Sequence, residues 1–276
     1  MTKQYKASLI ISIYSNIDAL QLILHALKIQ TEKDFEIIVS EDGESPQVQE
    51  FVAHIKHAFP NLTHSTQTDN GFRKNRALNR AILAAQADYL IFIDGDCVPH
   101  PRFMASHIYN AARGQVCSGR RAELGAGLSR FILQRPQLFA TLINPMVYSL
   151  LTVPALLDGA KNYEAGLYSQ FLQQKTQHKQ PGILGCNFSA YKEDLLRVNG
   201  FNEDYSAPAI GEDADLEWRL RQVGVTVKNI KFLAPVYHLF HEHKFQASDI
   251  NKNIMQDTIK HHKVICEHGI KQHLAS

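Results

Sequence analysis

From residue 7 to residue 119, short and nearly unbroken apolar runs alternate with longer stretches whose apolar residues recur every three or four positions. The runs 7–13 (ASLIISI), 35–40 (FEIIVS) and 89–93 (YLIFI) predict strands buried on both faces, and 62–65 and 115–119 predict shorter ones. Between them, 18–30 carries Leu20, Ile23, Leu24 and Leu27 at helical spacing, and 48–59 carries Val48, Phe51, Val52, Ile55 and Phe59. Residues 73–87 and 101–113 read as two more helices. Strands alternating with helices of this length predict an α/β fold with a doubly wound, mostly parallel sheet and right-handed crossovers. Such sheets hold ligands beyond the carboxyl ends of their strands, which puts Ser12, Tyr14, Asp42, Asp94 and Asp96 at the expected site.

Beyond residue 120 the alternation lapses. Residues 136–157 contain no charged side chain, and that length is close to the roughly 20 residues that cross a bilayer. Pro145 and Pro154 interrupt it, so three readings stay open: a helical pair packed on the core, a segment in a membrane interface or gripping a lipid-linked substrate, and a true span. Residues 163–178 read as a helix, and Lys179-Gln180-Pro181-Gly182 as a break. Next come a short helix over 192–198, a turn at Asn199-Gly200-Phe201, and Gly211-Glu212-Asp213 opening a helix with Leu216, Trp218 and Leu220. The chain therefore divides into an alternating α/β half (1–120), an apolar helical insertion (121–181), a second half (182–245) and a helical tail (246–276). Lys260, His261, His262 and Lys263 make that tail basic, as a solvated face or as a contact for anionic lipid.

Composition narrows the function classes. With 45% hydrophobic and 20% charged residues, the 276-residue chain is an ordinary globular protein, and a formal net charge of +2 argues against nucleic acid as its main partner. Cys97, Cys117, Cys186 and Cys266 are widely spaced, with no Cys-x-x-Cys pair, so reduced thiols are expected rather than a zinc ribbon or redox motif. The first apolar run is too short for a signal peptide, so the expected compartment is the cytoplasm or its membrane face.

Two clusters of acids carry the chemistry. Asp94 and Asp96 flank Gly95 at the end of a buried strand, where two carboxylates can turn toward one hard cation while the glycine lets a diphosphate approach. Read blandly, the same tripeptide is a polar turn. Glu212 and Asp213 open a helix, where the dipole and free amides keep a carboxylate ionised, as a general base requires; the bland reading is capping.

Taken in order, the run 8–15, Glu41-Asp42-Gly43, the segment 70–79, Asp94-Gly95-Asp96 and Gly211-Glu212-Asp213 resemble the signature of family-2 inverting glycosyltransferases. From Gly185 onward the chain resembles the carboxyl-terminal domain shared with galactosyltransferases. The resemblance implies a GT-A, Rossmann-like fold and a nucleotide-sugar donor, most plausibly a UDP-sugar, over the strand ends. Ser12 and Tyr14 would border the nucleotide, Asp42 the base ring, Arg76 or Asn79 the uracil or diphosphate, and Asp94 the ribose or sugar, with Gly185 also binding the nucleotide-sugar. Asp96, with Asp94 and a histidine, His238 or alternatively His241, would hold Mn²⁺ or Mg²⁺, and His243 lies in the same PVYHLFHEH run. Asp213 would be the base and Glu212 its orienting partner. The implied acceptor is a glycan or lipid-linked glycan in surface polysaccharide or lipopolysaccharide synthesis, with peripheral membrane contact. Glu41 and Leu78 depart from the family pattern, leaving Arg73, Arg76 and Arg80 as substitutes for an expected arginine. Arg120 and Arg121 would meet a phosphorylated acceptor or lie solvated. The rival readings are a nucleotidyltransferase and a non-catalytic nucleotide-sugar or glycan-binding module.

Overall fold

The computed structural model describes residues 5–207, 211–242 and 249–274. Its first part follows the apolar pattern. β1 (Ala7–Ile13), α1 (Ile17–Lys28), β2 (Phe35–Glu41), α2 (Pro46–Ile55), β3 (Leu62–Ser65), α3 (Lys74–Ala84) and β4 (Tyr89–Asp94) alternate, and the central strands are buried almost throughout. β5 (Cys97–Pro99), α4 (Phe103–Tyr109), β6 (Gln115–Ser118) and β7 (Arg121–Glu123) follow. β1, β2, β3 and β4 run parallel, and their register sets Ser12 beside both Ser40 and Asp94, so these strands end at one level.

The middle of the chain is broken into short pieces. α5 (Ala126–Gln134) comes first, and over 136–157 the chain forms the short helices α6 (Phe139–Leu142), α7 (Pro145–Leu150) and α8 (Thr152–Leu157), not a helical pair. Pro145 opens α7 under an Asn144 cap rather than kinking a longer helix. Phe139, Tyr148 and Ala155 pack into the core, whereas Met146, Leu150, Val153, Leu156 and Leu157 face out. No helix among the described residues is long and apolar enough to cross a membrane. The helix expected over 163–178 is instead a 3₁₀ turn at Tyr163–Gly166, with Tyr163 stacked on Tyr148, followed by α9 (Gln170–Thr176).

β8 (Asn187–Tyr191), α10 (Lys192–Arg197), α11 (Glu212–Gln222), β9 (Thr226–Asn229), β10 (Val236–His238) and α12 (Asp249–Lys260) complete the order. β8 inserts antiparallel between β4 and β6, giving a mostly parallel sheet in the order β3-β2-β1-β4-β8-β6-β9 among the described residues. A second sheet, β5-β10-β7, pairs His238 with Cys97 and so folds the end of the chain over the Asp96 turn. The tail is not one helix: α12 stops at Lys260, and a separate 3₁₀ turn, Ile270–His273, buries Ile270. Within its basic cluster, His261 and Lys263 both pair with Asp257. All four cysteines are free and buried.

α3 and α11 are fastened to one turn. Asn79 donates to Phe201 O and accepts from Phe201 N–H, while Arg219 donates to Val198 O and Gly200 O. Arg219 is in turn paired with Asp215 at 2.7 Å, and both side chains are within 1% of full burial. This clamp fixes the two helices relative to each other through their middle turns.

Candidate active site

The strand ends of β1, β2 and β4 open into a cleft of about 770 Å³, lined among others by Ser12, Tyr14, Asp42, Lys74, Asp94, Asp96 and His241. Tyr14 is held by a hydrogen bond from its hydroxyl to Asp69 at 2.7 Å. Asp42 lines the cleft with both oxygens engaged: Gln67 Nε2 and the Arg73 amide each donate to it at 2.7 Å. Glu41 is buried against His64 and the Ser45 amide, so it supports the wall of the cleft.

Two expected donor contacts are not brought to this cleft. Asn79 is buried with its amide spent on Phe201 and Glu203, because it ties α3 to the neighbouring turn. Arg76 is half-buried outside the lining. Gly95 also lines the cleft, and a Cβ there would meet Ile13 Cγ2 at 2.5 Å and Ser12 O at 2.9 Å, so the bare glycine lets this turn lie against the end of β1.

In place of these arginines stands Lys74, which sequence reasoning passed over. Its Nζ lies 2.9 Å from Asp94 Oδ1 and 3.4 Å from Glu212 Oε1, joining the donor cleft to α11. Burial pulls the ammonium down, yet Asp94, Glu212 and Asp213 outweigh it and hold Lys74 well above the usual lysine range. A signal existed: Lys74 falls on the stripe of Leu78, Ala81, Ile82 and Ala85 that α3 buries, and a lysine on an apolar stripe needs an acidic partner.

The two aspartates of the turn part company. Asp94 pairs with Lys74, whereas Asp96 Oδ2 lies 3.4 Å from His238 Nε2 and 3.2 Å from His241 Nε2. Burial would raise the Asp96 carboxyl, but both imidazoles pull it well below the usual carboxylate range. Ligand atoms of Asp96, Cys97 and His238 lie within 4.8 Å of one another, a set that does not contain Asp94. Beside Cys97, whose thiol burial pushes up, stand a carboxylate and imidazoles, donors that suit Mn²⁺. His238 and His241 are both at hand, and His243 lies outside the described residues.

At the start of α11, Asp213 Oδ2 accepts the Gly185 amide at 2.8 Å. Burial raises its carboxyl, Lys74 partly offsets this, and Glu212 raises it further, to about 6. Glu212 Oε2 is buried without a hydrogen-bond partner among the described residues, so it can still accept from a hydroxyl. A carboxylate that titrates near neutrality beside a fixed cation and a second acid can take a proton from an alcohol.

Residues 8–197 match the model of glycosyl transferase family 2, and 166–242 match the model described as the N-terminal domain of galactosyltransferase. Over 102 residues, 37% of this chain, it is 28% identical to the chondroitin synthase of Escherichia coli, covering 15% of that protein. The hyaluronan synthase of Pasteurella multocida is 26% identical over 102 residues, 37% of this chain and 10% of its own length. The chain thus spans a small part of these relatives. Among solved structures, the mannosyltransferase PcManGT from Pyrobaculum calidifontis, in complex with GDP-Man and Mn²⁺, superposes with a TM-score of 0.57 at 15% identity, over 88% of this chain and 59% of that one. GalNAc-T7 with UDP, GalNAc and Mn²⁺ superposes with a TM-score of 0.64 at 11% identity, over 94% and 48%. At such identities the likeness carries the fold, which is GT-A. With the family signature running from residue 8 to residue 197, the chain belongs to glycosyl transferase family 2 and is a glycosyltransferase.

Proposed function

We propose that this glycosyltransferase is metal-dependent and inverting, and moves a sugar from a UDP-sugar to a hydroxyl of a glycan in surface polysaccharide synthesis. The observation that carries the reading is Asp213, raised to about 6 and pinned by the Gly185 amide beside Lys74 and Glu212. Asp213 takes the proton of the acceptor hydroxyl while that oxygen bonds to the anomeric carbon, and the bond from that carbon to the phosphate oxygen breaks on the opposite face. Glu212 Oε2 orients a sugar hydroxyl. Asp96 with His238 or His241 would hold the divalent cation, which supplies charge neutralisation for the departing diphosphate. The two solved relatives that hold a nucleotide and Mn²⁺ support this assignment.

Lipid contact fits the same reading. Leu150 is 76% exposed and Leu157 85%, on a stretch free of charge, as a face that meets a membrane-borne acceptor would be. The test is incubation with Mn²⁺, a panel of UDP- and GDP-sugars and oligosaccharide acceptors, followed by NMR of the product. Inverted anomeric configuration with release of nucleoside diphosphate is expected. Retained configuration would remove Asp213 from the base role, and release of pyrophosphate would point to nucleotidyl transfer.

A further inference from the structure

A second cavity, of about 500 Å³, lies behind the 182–186 loop and shares no lining residue with the donor cleft. Arg120, Arg121, Lys179 and Lys231 line it, against the single carboxylate of Glu123. They come from three separate places in the chain, so their convergence is a product of the fold and not of one basic run.

The charge there is only partly compensated. Arg121 lies 3.4 Å from Glu123, and Lys231 bonds Glu164 at 2.9 Å. Arg120 donates to neutral oxygens alone, Ser118 Oγ, Gly119 O and Gly182 O, and burial pulls its guanidinium below the usual range. Neither Arg120 nor Lys179 makes an ion pair among the described residues. Among the described residues no aromatic side chain lines the cavity, so they offer no platform for stacking a neutral sugar ring. Its volume suits one saccharide or phosphate-sized group rather than a polymer.

The cavity also adjoins the proposed base. Leu184 lines it, and the next residue, Gly185, donates its amide to Asp213. The loop is therefore a thin wall: Ile183 and Gly185 amides face Glu217 and Asp213 of α11, while Gly182 O and the Cys186 thiol face Arg120 and Arg121.

We infer that this cavity is an acceptor subsite for an anionic group, a carboxylate or a phosphate, carried by the glycan next to the hydroxyl that is glycosylated. The inference rests on the transferase reading for the word acceptor, and on the cavity alone for the word anionic. Guanidinium groups bind both anions through paired donors, and each charge-assisted contact is worth enough to discriminate against a neutral isostere.

The test is ligand-observed NMR on the full chain with methyl β-D-glucuronide, methyl β-D-glucoside and inorganic phosphate at low ionic strength. Variants are Lys179→Ala with Lys231→Ala, two side chains on the surface of the cavity, and Asp96→Ala in the donor cleft. Expected are an anion preference over the glucoside of about tenfold or more, its loss in the double lysine variant, and its survival in Asp96→Ala. Preference for the glucuronide identifies a carboxylate, and preference for phosphate alone a phosphorylated acceptor; both support the subsite. No preference of either the glucuronide or phosphate over the glucoside, indifference to the lysine replacements, or loss in Asp96→Ala would overturn it. Because binding is read without turnover, a failed transferase reading would show as absent transfer with the anion preference intact, and a failed subsite as the reverse.

Discussion

Gly185 donates its amide to Asp213 Oδ2 at 2.8 Å, and a Cβ built on Gly185 would lie 2.3 Å from Asp213 Oδ1. The bare glycine is what lets the carboxylate sit against the loop. Gly185→Ala therefore displaces Asp213 while touching neither the donor cleft nor the cation ligands. We expect kcat to fall by about 100-fold, as misplacement of a reacting group by an ångström can do, with the Kd for UDP and Mn²⁺ nearly unchanged. Single-turnover kinetics beside calorimetric titration separate the two, and equal losses in both would show the glycine to be purely structural.

The carboxyl of Asp213, raised to about 6, makes two claims about pH. As the base it must be ionised, so kcat/KM should fall on the acid side of a limb near pH 6, and Asp213→Asn should lower kcat by roughly 10²–10⁴-fold with no such limb. Stability runs in the opposite sense. A carboxyl whose folded pKa lies above its unfolded value favours the fold fully below about 3.8, the unfolded value, and loses that contribution as pH rises through about 6. Asp213→Asn should accordingly be more stable than the parent at pH 7.5, by about 1–3 kcal/mol, and nearly equal to it at pH 4. Urea unfolding at the two pH values checks the sign.

Lys74 is the cation that holds Asp213 down. Lys74→Met removes that attraction while Glu212 and Asp94 still repel, so the acid limb of kcat/KM should move upward by about one pH unit. At pH 6.5 the variant should turn over several-fold more slowly than the parent, and the deficit should shrink at pH 8.5. A uniform loss across pH would mean that Lys74 acts on the donor instead.

These residues show where the sequence was informative and where it was not. β1, β2 and β4 were legible because burial on both faces leaves an unbroken apolar run, and the acids at their ends then fall in one place by register. β5, β7 and β10 are three residues each, too short to display a period, and only their pairing with one another makes them strands. Hence the Asp96 and His238 encounter needed a resemblance to suggest it. Lys74 was hidden among Arg73, Arg76 and Arg80, where counting charges succeeds but only the helical face picks the residue. The breakup of 136–157 into short helices was illegible because packing, with Phe139 and Tyr148 inward and Leu150 outward, decides it and not propensity.

That outward face is testable. Leu150 and Leu157 are exposed, whereas Leu151 packs against the core, so Leu150→Gln with Leu157→Gln probes lipid contact without opening a cavity. Flotation with anionic phospholipid vesicles should weaken by about tenfold, given up to about 2 kcal/mol for each leucine removed from an apolar phase. The unfolding midpoint should stay within about 0.5 kcal/mol of the parent. Unchanged flotation would return this face to plain solvent exposure.

Asp215 and Arg219 stand at i, i+4 on α11 and are among the most buried charges in the molecule. Their burial makes the pair a clamp: Arg219 reaches Val198 O and Gly200 O at 2.7 and 2.8 Å, on the turn that Asn79 also grips. Arg219→Met leaves the buried Asp215 without its cation, with only the Tyr205 and Thr258 hydroxyls beside it, and frees two carbonyls, which should cost roughly 3–5 kcal/mol in urea unfolding. Adding Asp215→Leu removes the stranded charge and should recover part of that loss, though not the share due to the two carbonyls. Since the clamp sets α11 against α3, the double variant, once stable, should still bind UDP in the cleft of β1, β2 and β4 but transfer sugar slowly. A double variant with parental kcat would show that Asp213 and Lys74 are positioned without it.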